Sequence, residues 1–257
     1  MAKLGVSLLA AAAISVLVGV IPAQADTFIG YQLPEYVAFP GGTAADNIST
    51  HNAFSAYSGI YFVGFSGIRQ KTRTETGIVT DTDGAAVAGM GFGRPSRALE
   101  VSVTMADISE HDDFFPNVKY HFQNETKTRP ALAVGIENIT DRISEAQAER
   151  SAYVTATKSF WSRNQVERGK MLFARTVVSL GWGTGRFDNN PFGSVSTSLT
   201  DRAKGILEYD GKGVNAGLSI APMRSYPGLV FLVAGQDLNH SDVRTISAAA
   251  GVTFAGF

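Results

Sequence analysis

Five charged side chains stand where chemistry could be done: Glu100, Lys119, Glu137, Arg175 and Glu208. Each sits inside a short run whose neighbours alternate between apolar and polar types. Carboxylates and cations interleaved in this way can pair with one another or line a polar path for ions or sugars. Turned toward lipid they would be costly, by about 2–4 kcal/mol for Lys or Arg at a bilayer midplane. Lys158 and Asp210 occupy comparable places, although the parity neighbours of Lys158 (Val154, Ala156 and Phe160) are apolar.

Other chemistries find less support. His51, His111, His121 and His240 are too dispersed for a metal-ligand spacing, and a chain without cysteine has no thiolate site, so no metal or cofactor is expected. His121 alternates with Lys119 and reads as a polar-face residue. His111-Asp112-Asp113 falls at a turn and reads as a solvated loop, although it could meet a cation. No G-x-S-x-G elbow occurs, but Ser-His-acid triads are recognised by geometry, so an outer-membrane hydrolase stands as a third reading. Gly181-Trp182-Gly183-Thr184-Gly185-Arg186 lacks the Lys-Ser/Thr of a phosphate loop and reads as a strand end with an interface tryptophan. The chain is not expected to be an enzyme.

Strands must position these charges. Leu99, Val101, Val103 and Met105 alternate with Glu100, Ser102 and Thr104, a period that no helix can use. The same period places Val118, Tyr120 and Phe122 opposite Lys119 and His121, and Leu132, Val134 and Ile136 opposite Glu137. It recurs with Leu172, Ala174, Val178, Leu180 and Trp182 against Arg175 and Ser179, with Val214–Ile220 and with Thr245–Phe254. Weaker patterns cover 59–66, 74–80, 85–92, 152–160, 204–210 and 229–236. Asp210-Gly211-Lys212-Gly213 is a hairpin turn, and Ser144–Arg150 reads as an exposed loop. The expectation is an antiparallel meander of ten to twelve strands.

The N-terminal region differs. Lys3, an apolar run from Leu4 to Ile21, Pro22 and Ala23-Gln24-Ala25 form a cleavable export signal over 1–25, with the mature chain beginning at Asp26. Residues 26–58 carry Pro34, Pro40, Gly41 and Gly42 and read as an irregular segment, a plug or a first hairpin. Residues 59–257 form the strand domain. The net charge of −1 argues against a nucleic-acid partner. After Ile21 no apolar run is long enough for a transmembrane helix.

Export plus a meander allows two architectures. One is a soluble periplasmic β-sandwich that binds a glycan. The other is an all-β transmembrane barrel in the bacterial outer membrane, its apolar faces toward lipid and its charges in the lumen. Charges of both signs in mid-strand and the terminal Phe257 favour the barrel, although Phe257 is out of parity with Phe254 and Val252. In a barrel of this size a filled lumen is as reasonable as a narrow pore. Glu100, Lys119, Glu137, Arg175 and Glu208 are then expected to form a luminal charge network.

From about Ser96 to Phe254 the chain resembles the YjbH-type outer-membrane proteins linked to exopolysaccharide. The likeness is carried by ALEVSVTMADIS (98–109), RPALAVGIENITD (129–141), SAYVTATKSF (151–160), VVSLGWGTGRF (177–187) and ILEYDGKGVNAGLSIAP (206–222). Members of that family are usually longer, and many are lipoproteins, so this chain resembles a single barrel unit. The resemblance implies a structural or envelope-polysaccharide role, with outer-membrane lipids, the barrel-assembly machinery and envelope polysaccharide as partners, and brings no catalytic residues.

Overall fold

The computed structural model describes residues 47–74, 77–105, 114–140, 149–161, 172–223, 228–239 and 243–255. The export signal, the stretch before Asn47, His111-Asp112-Asp113, most of 144–150, His240 and Phe257 lie outside the described residues. Twelve antiparallel strands follow in chain order: β1 (Ile60–Thr74), β2 (Gly77–Arg94), β3 (Arg97–Met105), β4 (Phe114–Gln123), β5 (Ala131–Glu137) and β6 (Ser151–Trp161), then β7 (Arg175–Gly183), β8 (Pro191–Ser198), β9 (Ala203–Tyr209), β10 (Val214–Ile220), β11 (Leu229–Gln236) and β12 (Val243–Ala255). Each pairs with its sequence neighbours, and β12 returns to β1, so the sheet is a closed barrel. Closure gives both outer strands a ladder partner and leaves no sheet edge open. A two-sheet sandwich is thereby replaced by one continuous sheet.

The pleat sorts the residues as the alternation demands. Leu180 stands across from Ala156 and Gly193 on the outer face, while Ser179 stands across from Thr157 and Ser194 on the inner one. Thr157 and Ser179 share a 2.9 Å hydrogen bond there. Leu99, Val103, Val134, Ile136, Leu218 and Ile220 are exposed on the outside, and Leu180 and Ile246 reach 65% and 66% exposure. The inside is rich in buried Ser, Thr, Glu and Lys. This polarity is the reverse of a water-soluble globule, whose large apolar side chains go inward.

Three departures from the sequence pattern have simple causes. The windows 59–66, 74–80 and 85–92 belong to only two long strands, and Thr74 and Gly77 pair at the tip where β1 meets β2. The strand β8 has no apolar alternation to reveal it, because its inner positions include Ser194, Ser196 and Ser198 and its outer ones include Pro191 and Gly193. Leu172 and Ala174 precede β7 and do not belong to it. The hairpin at 210–213 forms as the glycines require: Gly211 has φ +96°, and Asp210 Oδ1 accepts from the backbone N–H of Lys212 and Gly213 at 3.0 and 2.8 Å.

Because the strand number is even, β1 begins and β12 ends at the same rim, called here the near rim. The opposite, far rim carries the β1–β2, β5–β6, β7–β8 and β9–β10 connections. Residues 47–56 are all buried inside this barrel. Ile48 packs with Ile206, Leu232, Ala234 and Ala249; Ala53 and Phe54 pack with Ala131 and Ala133; Ala56 packs with Ile60, Phe62 and Val87. The core is therefore the junction between the inner wall and this plug.

Candidate functional site

The plug, Asn47 to Ala56, contains no Asp, Glu, Lys or Arg. It can satisfy a wall carboxylate only with backbone N–H groups, hydroxyls, an amide or its one imidazole. Glu208, on β9 near the far rim and 2% exposed, shows the consequence. Its carboxylate accepts from the consecutive backbone N–H groups of Ile48 (2.8 Å), Ser49 (2.8 Å) and Thr50 (3.1 Å). The hydroxyls of Ser49 and Thr50 donate to it at 2.5 and 2.8 Å, and Asn215 Nδ2 donates at 3.1 Å from the adjacent strand. Removing a carboxylate from water is tolerable only when its lone pairs are filled in this way.

Next along the plug is His51. Its ring stacks on Tyr153 at 3.7 Å between centroids and 7° between planes, beside Phe187 and Phe192. Its Nε2 lies 3.1 Å from Glu137 Oε1. Arg186, from a 3-10 turn (Gly185–Phe187) between β7 and β8, places Nε 2.5 Å from Glu137 Oε2. Its Nη2 donates to the Ser49 carbonyl at 2.9 Å. One guanidinium thus ties a wall carboxylate to the plug backbone, a task suited to its planar fork of donors.

Lower down, the wall continues to read the plug backbone. Thr155 Oγ1 donates to the His51 carbonyl at 3.0 Å, and the Ala53 N–H donates to Thr157 Oγ1 at 2.8 Å. His121 Nδ1 lies 2.7 Å from the Ala53 carbonyl and Nε2 lies 2.7 Å from Asn124 Oδ1. The Ala56 N–H donates to Glu100 Oε2 at 2.6 Å, while Lys119 Nζ stands 3.6 Å from Glu100 Oε1. Gly91 makes room for this passage: a Cβ there would lie 2.1 Å from the Ala56 carbonyl carbon.

All five charges anticipated from the sequence are buried and inward. The structure brings Glu100 and Lys119 together, but Glu137 meets His51 and Arg186, Glu208 meets the plug, and Arg175 lies 5.3 Å from the Trp161 ring centroid. Glu100, Glu137 and Glu208 each meet the plug. Lys158 is half-buried and bonds Glu125 at 2.8 Å outside this system, and Asp210 serves its turn. The sequence pattern missed Arg186, which looked like a strand end, and also Lys204, which is buried on the inner wall. The apolar parity of β9, Ile206 excepted, was the available cue for Lys204. For Ser49, Thr50 and His51 no periodic cue existed.

No family model matches this chain, and no curated protein matches it. Among solved structures it is similar to an outer membrane channel from Pseudomonas putida F1, at 8% identity, covering 81% of this chain and 100% of that one with a TM-score of 0.46. It is also similar to Neisserial surface protein A, at 12% identity over 77% of this chain and 99% of that one with a TM-score of 0.24. A third similarity is to outer membrane phospholipase A from Escherichia coli, at 12% identity over 91% and 99% with a TM-score of 0.38. At these levels no residue role is carried across.

Proposed function

We propose that this chain is an outer-membrane β-barrel held closed at rest by its own N-terminal segment, with an envelope role of the YjbH, exopolysaccharide-associated kind. The observation that carries the reading is the inverted polarity of a closed barrel whose interior holds the buried residues 47–56. An apolar outer belt of exposed Leu, Val, Ile and aromatic residues is stable against lipid and costly against water. The seated segment supports a closed barrel over an open pore, since the plug backbone is bonded to the wall at Glu208, Thr157 and Glu100. The polysaccharide part of the reading rests on the resemblance of 98–109, 129–141, 151–160, 177–187 and 206–222 to the YjbH-type proteins. Insertion by the barrel-assembly machinery belongs to the same reading.

Cell fractionation with heated and unheated electrophoresis tests the location. The protein should fractionate with outer membranes and migrate differently before and after boiling; release with the soluble periplasm would end this reading. In planar bilayers the full chain should be electrically silent, and a variant lacking 47–56 should conduct. Steady conductance of the intact protein would replace the closed barrel with a pore.

A further inference from the structure

The plug has a direction. Ser49 bonds Glu208 and Asn215, at the end of β9 and the beginning of β10, both in the far-rim half. His51 meets Glu137, the last residue of β5, and Ala53 meets Thr157, past the middle of β6. Ala56 reaches Glu100, and the Ser58 N–H bonds the Gly93 carbonyl at 3.2 Å, beside the β2–β3 turn of the near rim. Ser49 and His51 thus meet the far-rim ends of β9 and β5, whereas Ala53, Ala56 and Ser58 meet wall positions progressively nearer the near rim. A second observation agrees. Ser58 forms a parallel bridge with Gly91, and β2 itself runs from far rim to near rim.

We infer that the chain is threaded through its own barrel, passing Asn47 to Ser58 through the lumen from the far-rim face to the near rim, where β1 begins and β12 ends. A chain that simply began at the near rim and entered β1 would need no passage through the lumen. Here the ladder of wall carboxylates, hydroxyls and Arg186 grips a segment already travelling toward β1. The inference rests on the membrane reading above but not on which face is outermost.

The chain has no cysteine, which makes single-cysteine labelling clean. Three variants suffice: Ser96→Cys at the exposed near-rim turn, Lys212→Cys at the exposed far-rim hairpin, and Gln32→Cys in the N-terminal stretch. Gln32 lies fifteen positions before Asn47, a reach of roughly 50 Å at full extension, enough to clear the rim. Each variant is treated in intact cells with a membrane-impermeant maleimide, before and after permeabilisation, after its heat-modifiable migration has confirmed folding. Ser96→Cys and Lys212→Cys should differ, one labelled at once and the other only after permeabilisation. Gln32→Cys should follow Lys212→Cys. If it follows Ser96→Cys, the chain turns back to the near rim and the threading is wrong. Equal labelling of Ser96→Cys and Lys212→Cys would remove the membrane span itself, and this inference with it.

Discussion

Glu208 holds more of the plug than any other wall residue described above, because one carboxylate gathers three consecutive backbone N–H groups and two hydroxyls. Glu208→Gln keeps the shape but removes the charge and turns part of the acceptor into a donor facing donors. Hydrogen bonds to charged groups contribute about 1.5–3 kcal/mol each, and a net loss of about 2 kcal/mol shifts the plugged-to-open ratio roughly thirtyfold. Intermittent conductance in planar bilayers should report it; silence equal to wild type would mean the carboxylate is not the anchor.

At the scale of elements, plug and wall are fitted to each other by size as well as by polarity. Gly91 faces the Ala56 backbone so closely that Gly91→Val must displace it. Overpacking of this kind costs about 1–3 kcal/mol. The expected result is a plug cleaved by added protease within 47–58, in a barrel that still migrates as a folded species before boiling. Protection equal to wild type would show that the wall yields instead. The outer face of the strands is tested by Leu180→Arg, which puts a guanidinium in the middle of the apolar belt opposite Ala156 and Gly193. Folding into bilayers, followed by urea titration, should lose about 2–4 kcal/mol. Ser179→Ala, one residue away on the inner face, removes a neutral hydrogen bond and should cost about 1 kcal/mol. Equal losses at the two sites would contradict the assignment of faces.

For the whole molecule, the barrel and its plug make one closed object whose strands have all their neighbours. Long-range order comes from two closures, β12 onto β1 and residues 47–56 into the lumen. Mass spectrometry of the protein from outer membranes should give a chain beginning at Asp26, since Ala23-Gln24-Ala25 supplies small residues before the cut. Retention of 1–25 would turn the export signal into an anchor.

Much of this was legible in the sequence alone, because a strand's side chains alternate whatever it packs against. The pairs Leu99–Glu100, Val118–Lys119 and Ile136–Glu137 specify opposite faces before any partner is known, whether the apolar face meets a second sheet or lipid. The alternation was silent for β8, where serines face inward and proline and glycine stand outside, so only the neighbouring ladders of β7 and β9 define that strand. It was equally silent on partners. Glu100, Glu137 and Glu208 looked like members of one charge network, but parity says which way a carboxylate points and not what it meets. The uncharged stretch from Asn47 to Ala56 has no period, and its backbone N–H groups are the same in any sequence. Only closure of the barrel around it, with Glu208, Thr157 and Glu100 at successive heights, decided that those donors would be the ones to fill the carboxylates.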